Sequence, residues 1–344
     1  MGETMRTWQY STVDGKLEKC LTLKEDAPIP NKLDLLQDEL IVEIITAALN
    51  PADYKVPETA VIGRLMISLP ATPGMDFCGR VVSKHPSNTA FEEGQLIFGG
   101  FPGVSQKGVL GQFITISCKN CAPLPRGIDP DHAAAVGTAA TTAYQSLMPE
   151  KLKPGAKVFI NGGSGGTGIW CIQIAKVLGA EVVTTCSTAN VDLCKQLGAD
   201  EVIDYKKEDV VANLKKRGKI FDLVIDNVGD SNELYDNSDD YLKLTGTFVL
   251  VGVGQNMSLF GIISTLIKLV RSTIFGSGRF YFVQMKNTTD IFSLIGDWMA
   301  EGKARAVIDS TFSFEDVPAA FEKLREGRAK GKIIVHVERH PTGK

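Results

Sequence analysis

Short apolar runs alternate with longer polar or amphipathic stretches through the middle of the chain. Lys157-Val158-Phe159-Ile160, Glu181-Val182-Val183-Thr184-Thr185-Cys186, Glu201-Val202-Ile203, Phe221-Asp222-Leu223-Val224-Ile225 and Gly246-Thr247-Phe248-Val249-Leu250-Val251-Gly252 have the length and the β-branched or aromatic content of buried strands. Ile169 to Leu178 is amphipathic at helical spacing. Strands alternating with helices predict an α/β domain with a doubly wound parallel sheet. From about Arg6 to Pro125 the chain is strand-rich instead and is punctuated by Pro28, Pro30, Pro51, Pro70, Pro73-Gly74, Gly94, Gly99-Gly100 and Pro102-Gly103, which predicts a compact β-rich domain. The last part reads as a helix from about Asp290 to Ala300, a strand near Val307-Ile308, a helix from Val317 to Arg325 and a closing strand from Lys332 to Val337. That strand is expected to rejoin the first domain. The predicted organisation is a β-rich domain of residues 1–125 and 286–344 around a second domain, 126–285.

Gly163-Ser164-Gly165-Gly166-Thr167-Gly168 stands between the strand ending at Ile160 and the helix beginning at Ile169. Gly163, Gly165 and Gly168 fit the G-x-G-x-x-G spacing: a tight turn, close backbone approach to a pyrophosphate, and close packing of helix on strand, with the phosphates facing the helix N-terminus. Strand, glycine turn and helix in this order predict a Rossmann dinucleotide site, with Ser164, Gly165, Gly166, Thr167 and Gly168 at the phosphates. An NAD site usually carries Asp or Glu at the end of the second strand to hold the ribose 2′-hydroxyl. This chain has Cys186-Ser187-Thr188 there, so no carboxylate repels a 2′-phosphate seated against Ser187. Lys206-Lys207 follow Tyr205 at the end of the next strand, and NADPH is the expected cofactor. The same lysines, like the Lys215-Lys216-Arg217 cluster, also fit an ordinary solvated face. Asp226-Asn227-Val228-Gly229 and Val251-Gly252 fall at or just past strand C-terminal ends, where open α/β sheets bind ligands; cofactor contacts and plain turns both suit them.

The 344 residues, with 37 basic and 40 acidic side chains and a formal net charge of −3, are ample for two domains. That balance gives no reason to expect nucleic acid or an anionic membrane as a partner. Seven cysteines without framework spacing, and no secretory signal, point to a reducing, cytoplasmic compartment. Gly2 does not fit a myristoylation pattern, because residue 6 is Arg. Cys118-x-x-Cys121 is a single pair, and His85, His132, His336 and His340 have no ligand spacing.

Ala48-Leu49-Asn50-Pro51-Ala52-Asp53-Tyr54-Lys55, Pro73-Gly74-Met75-Asp76-Phe77-Cys78-Gly79, Thr141-Thr142-Ala143-Tyr144, the glycine turn, Cys186-Ser187, Leu197-Gly198-Ala199-Asp200, Ile203-Asp204-Tyr205 and Gly331-Lys332 follow one another over nearly the whole chain. In these motifs the chain resembles the medium-chain dehydrogenase/reductase superfamily, in its zinc-free, quinone oxidoreductase-like and enoyl reductase-like branch. The resemblance implies a GroES-like catalytic domain made from the two ends of the chain, a Rossmann domain between them, and a cleft where a nicotinamide meets substrate. It places Asn50 and Thr142 at the nicotinamide, and Lys55 where it reaches the substrate carbonyl or orders water near it. Tyr54 is either a second proton donor or a packing aromatic. Asn190 and Lys332 complete the expected cofactor contacts.

Zinc-dependent members of that superfamily carry a Cys where this chain has Asn50, a Gly-His-Glu run where it has Gly74-Met75-Asp76, and a further Cys at the position of Thr138. The resemblance therefore implies no catalytic zinc, and the four-cysteine structural lobe is missing as well. Alcohol oxidation would lack its usual Lewis acid. The expected reaction is hydride transfer from NADPH to the C=C bond of an α,β-unsaturated carbonyl or to a quinone, with Lys55 and Thr142 at the reacting end. Two other readings stay open: a trans-acting enoyl reductase whose thioester substrate is carried by a polyketide or fatty-acid synthase, and an NADPH-binding structural or regulatory protein with little turnover. Met257 to Phe275 is apolar but interrupted by Lys268 and Arg271, too much so for a transmembrane span. It reads as a lid over the cleft, a contact with another subunit or partner, or a peripheral membrane contact; monomer and homodimer both remain open.

Overall fold

The computed structural model describes residues 4–59, 62–147, 152–251, 280–283 and 285–337. Gly252, the Met257 to Phe275 segment and His340 lie outside the described residues. In chain order the strands are β1 (Thr4–Gln9), β2 (Thr22–Pro28), β3 (Glu39–Leu49), β4 (Asp76–Lys84), β5 (Leu96–Gly100), β6 (Phe113–Ser117), β7 (Cys121–Pro123), β8 (Lys157–Asn161), β9 (Glu181–Cys186), β10 (Glu201–Asp204), β11 (Phe221–Asp226), β12 (Leu242–Leu250), β13 (Phe280–Phe282), β14 (Ile308–Ser313) and β15 (Lys332–His336). They fall into two compact units, Met1–Thr141 with Met285–Lys344, and Thr142–Gln284. The first unit runs past Pro125 because helix Pro130–Ala134 packs on β3, β4 and β5, and because Asp76 of β4 bonds to Thr138 at the start of the following helix, Gly137–Ser146.

β3 is the spine of the first unit. Its run Leu40-Ile41-Val42 and its end Ala47-Ala48-Leu49 are buried, as expected of a central strand covered on both faces. β4 pairs with it antiparallel on one side; on the other, β6 takes Glu39 to Glu43 and β15 takes Thr46 to Leu49, both antiparallel. The sheet order is β14-β15-β3-β4-β5-β7, so the closing strand does rejoin the first unit. β1 and β2 form a separate antiparallel ribbon, held to the unit by Trp8 Nε1, which donates to Phe314 O at 2.7 Å.

The second unit is a parallel sheet in the order β10-β9-β8-β11-β12-β13. Strand order reverses between β8 and β11, the switch point at which such sheets bind ligands. β12 begins at Leu242, ahead of the expected Gly246, because Leu242 already pairs with Phe221 of β11, with an irregularity before Thr247 pairs with Leu223; Lys243 Nζ also bonds across to Asp222 at 2.9 Å. The helix after β8 spans Gly166–Val177, so the second half of the glycine turn is its first helical turn. Among the described residues, no helix is long and apolar enough to cross a membrane.

One face of this sheet closes over Phe221, fully buried and packed on Phe159 and Tyr241 with ring centroids 5.8 and 6.4 Å away. Removing a buried aromatic of this kind costs about 3–5 kcal/mol. Phe221→Ala is therefore expected to lower the urea unfolding midpoint sharply; a shift worth under about 1 kcal/mol would mean that this face is not closely packed.

Candidate functional site

In the first unit, helix Pro51–Glu58 starts where β3 ends, with Asn50 as its N-cap. Pro51 suits the first helical position, where an N–H has no intrahelical partner. Asp53 reaches back, its Oδ2 accepting from the Asn50 N–H at 2.7 Å. β4 sets Asp76 opposite Ala48, and Asn50 Nδ2 donates to Asp76 Oδ2 at 2.8 Å. β15 runs along the other edge of β3, and Lys332 Nζ donates to Leu49 O at 3.0 Å, Asn50 Oδ1 at 2.6 Å and Asp76 Oδ2 at 3.3 Å. Asp76 Oδ1 accepts from the backbone N–H and the hydroxyl of Thr138 at 2.8 and 2.7 Å. Gly137 permits this approach, because a Cβ there would stand 2.0 Å from Asp76 Cγ.

Lys332 is 3% exposed, and its three N–H bonds are directed to three internal acceptors. Those bonds tie Asn50 and Asp76 to β15. Asn50 is buried too, its amide taken up by Asp76 and Lys332. Asp53 Oδ1 has no partner among the described residues, and burial, together with the neighbouring Asp76 charge, pushes the Asp53 pKa up to about 8. One ammonium thus faces one carboxylate, and the second carboxyl stays neutral.

Tyr54 belongs to the core of this unit, beneath the Arg325 guanidinium, which lies 4.2 Å from its ring centroid and bonds to Glu18 and Glu58. Burial raises the phenol pKa. These surroundings support the packing reading of Tyr54 over proton donation. Lys55, next along the helix, is half-buried. Asn287, which the sequence reading missed, ties β5 to helix Gly137–Ser146 by donating to Gly100 O at 2.8 Å and accepting from the Thr141 hydroxyl at 3.2 Å. A cleft of about 500 Å³ elsewhere in the unit, lined by Met5, Thr7, Pro70, Gln106 and Phe113 among others, contains none of the expected site residues. Among the described residues, no three His, Cys, Asp or Glu side chains gather as a metal centre would require.

In the second unit, the turn after β8 is held by β9. Gly162 donates to Thr185 Oγ1 at 2.9 Å and Gly163 to Thr185 O at 2.8 Å. Gly162, not Gly163, takes the left-handed conformation, with φ +80°; Gly163 instead presses on Thr184, whose Oγ1 would lie 2.1 Å from an added Cβ. The tight-turn role assigned to Gly163 thus moves back one residue. Gly165 caps the helix without a side chain, and at Gly165 a Cβ would meet nothing closer than 3.6 Å. Ser164, Gly165, Gly166 and Thr167 are all partly accessible there, whereas Gly168 is buried against Gly162 O. An uncapped N-terminus with open backbone fits a pyrophosphate. Thr142 is buried at 8% exposure, its carbonyl accepting from Ser146 Oγ at 2.6 Å.

Towards the sheet edge, Asn190 Nδ2 donates to Ser164 Oγ at 3.0 Å, and its buried Oδ1 finds no partner among the described residues. Ser187 is half-buried at the end of β9. Tyr205, half exposed, follows β10 with Lys206 Nζ 5.3 Å from its ring centroid. Asp204 ends β10, but its carboxylate accepts from Thr188 Oγ1 at 2.6 Å and Lys206 N at 3.0 Å, and the Thr188 bond holds its pKa below the usual range. Beyond β11, Asn227 donates from N and Nδ2 to Asn161 O, and Val228 is accessible. Val251 donates to Asp226 O at 2.9 Å. These strand ends fit a dinucleotide laid across the switch point.

Two family models match the chain: an alcohol dehydrogenase GroES-like domain over residues 36–126 and a zinc-binding dehydrogenase domain over 197–335. A trans-enoyl reductase of Aspergillus terreus is 42% identical over 346 residues, covering 97% of each chain. The chain belongs to the medium-chain dehydrogenase/reductase superfamily. Within it, the 2-methylene-furan-3-one reductase of Solanum lycopersicum is 30% identical, covering 96% of this chain and 79% of its own. The solved quinone oxidoreductase of Coxiella burnetii has a TM-score of 0.82 and 26% identity, covering 98% of this chain and all of its own. The protein is thus a medium-chain oxidoreductase of the quinone oxidoreductase-like and enoyl reductase-like branch, and its cofactor is a nicotinamide dinucleotide.

The buried carboxyl gives this medium-chain enzyme a pH signature. An unfolded Asp releases its proton near pH 4, whereas native Asp53 keeps it up to about 8. The native state binds more protons across that window, so this group's contribution to stability is complete below about pH 4 and is lost as pH rises through about 8. Asp53→Asn keeps an acceptor for the Asn50 N–H and removes the titration. Urea midpoints at pH 5, 6.5 and 8 are expected to fall more steeply for wild type than for the variant; parallel curves would place the Asp53 pKa in the ordinary range.

Proposed function

We propose that the protein is an NADPH-dependent, zinc-independent reductase acting on a C=C bond conjugated to a carbonyl, or on a quinone. The observation that carries the reading is the cluster of Asn50, Asp76, Thr138 and Lys332. At the positions where zinc-dependent members carry ligands, this chain builds a closed set of hydrogen bonds around an ammonium. The names of its relatives, a trans-enoyl reductase, an enone reductase and a quinone oxidoreductase, point to the same chemistry.

NADPH is favoured over NADH by Ser187 at the end of β9, by Tyr205 with Lys206 beside it, and by the engagement of Asp204 with Thr188 and the Lys206 N–H. Ser164, Gly165, Gly166, Thr167 and the packed Gly168 form the pyrophosphate turn. Asn190, Asn227, Val228 and Val251 line the remaining strand ends. When bound, the dinucleotide supplies a hydride. The protein's part is to orient the substrate and to stabilise the negative charge that develops on its carbonyl oxygen, for which Lys55 and Thr142 are the proposed donors. Asn50 sets the start of the helix that carries Lys55. A trans-acting role, with the enoyl thioester delivered by a synthase, is the second reading, and the Aspergillus relative favours it.

Dinucleotide titrations are expected to give NADPH at least about tenfold tighter binding than NADH, or about 1.4 kcal/mol. Ser187→Asp should erase most of that difference by setting a carboxylate against the 2′-phosphate; equal affinities in wild type would remove the NADPH assignment.

Turnover with NADPH across enones, quinones and enoyl thioesters tests the reaction itself. Lys55→Ala is expected to reduce kcat by about 10²-fold, the scale of one transition-state donor, with little change in unfolding midpoint. Thioester-only activity would select the synthase reading, and dinucleotide binding with no turnover on any class would leave a regulatory or structural protein.

A further inference from the structure

At the switch point, three strand ends of the second unit are joined side chain to side chain. Asp226, at the end of β11 and 2% exposed, receives three hydrogen bonds on Oδ1: from Asn161 Nδ2 at 2.9 Å, Val228 N at 3.0 Å and Gly229 N at 3.1 Å. Asn161, at the end of β8, uses its Oδ1 to accept from Thr185 Oγ1 at 2.6 Å. Thr185, on β9 and 1% exposed, in turn accepts on Oγ1 from Gly162 N at 2.9 Å. The path runs without a break from the loop after β11 to the residue whose positive φ begins the glycine turn. Each hydroxyl and amide in it has one fitting role: the Thr185 hydroxyl donates one way and accepts the other, and the Asn161 amide does the same.

We propose that Asn161, Thr185 and Asp226 are positioning residues that hold the pyrophosphate turn and the loop at 227–229 in one arrangement, and so set dinucleotide affinity without contributing a ligand contact of their own. The inference rests on the reading that this turn receives a dinucleotide. Such a turn works through backbone N–H groups at the helix N-terminus, and their aim depends on the backbone conformation fixed at its first residue. Gly162 has no side chain to set that conformation, so the Thr185 hydroxyl sets it from the neighbouring strand. Asp226 applies the same constraint to Val228 and Gly229. Buried, fully satisfied polar networks of this kind enforce a unique geometry, because leaving one member unpaired carries a desolvation penalty.

Binding of two ligands separates this role from general support of the fold. NADPH spans the turn, whereas adenosine 2′-monophosphate, which has no 5′-phosphate, occupies only the adenosine end near Ser187 and Tyr205. Thr185→Val keeps the shape and removes the hydroxyl; it is expected to weaken NADPH at least about tenfold while changing adenosine 2′-monophosphate affinity less than about twofold, with Thr185→Ser restoring both to wild-type values. Asn161→Ala, which cuts the path at its middle, should reproduce the split and decides the matter if Thr185→Val does not fold. Unchanged NADPH affinity in a folded variant, or equal losses for both ligands, would overturn the proposal. Failure of wild-type protein to bind NADPH would instead overturn the cofactor reading beneath it.

Discussion

A lysine ammonium with 3% exposure can be kept charged only if the surrounding atoms replace the water it has lost. Lys332 meets that condition with a carbonyl, an amide oxygen and a carboxylate, and Asp76 meets its own with an amide, the ammonium, a backbone N–H and a hydroxyl. Those partners come from β3, β4, β15 and the helix beginning at Gly137, elements far apart in sequence. The central strand order β15-β3-β4 is therefore as much an electrostatic requirement as a hydrophobic one. Removing one member of such a set commonly costs 3–5 kcal/mol, because the remaining charge has no water to turn to.

The second unit solves a different problem. Its strand ends must leave backbone N–H groups open to a ligand yet hold them still, and open groups cannot be fixed by bonding them to each other. The structure meets both demands by placing the restraint one layer back, in side chains of β8, β9 and β11, and leaving Gly165 bare in front.

Much of this architecture was legible in the sequence, because it is written in local patterns. The apolar runs of β8 to β11 and the helices Thr289–Ala300 and Val317–Arg325 appear within a residue or so of where periodicity predicts them. Local patterns say nothing about burial of a polar side chain. The bonds of Lys332 to Asn50 and Asp76, and the Arg325 guanidinium over the Tyr54 ring, therefore leave no trace in the sequence pattern. Asn161 and Thr185 carry no local signal, and Asp226 stands out only as part of a strand-end segment, until the parallel register brings the three side by side. Gly162 stands outside the motif, whose G-x-G-x-x-G spacing begins at Gly163, and only φ shows that the residue before it takes the left-handed conformation.

The pairing of β15 with β3 also has a consequence in time. Lys332 and Leu49 are 283 positions apart, and a ribosome adding about 5–20 residues per second needs on the order of tens of seconds to travel between them. During that interval the second unit, continuous in sequence, is complete in the nascent chain, while the Thr46 to Leu49 end of β3 waits with one edge open and Asp76 without its cation. The charge that neutralises the centre of the first unit is thus among the last parts of it to be made. A cell that stalls or cleaves the chain before β15 emerges is left with a complete second unit and an open edge on β3, which is the kind of edge that chaperones cover and that otherwise pairs with a neighbour.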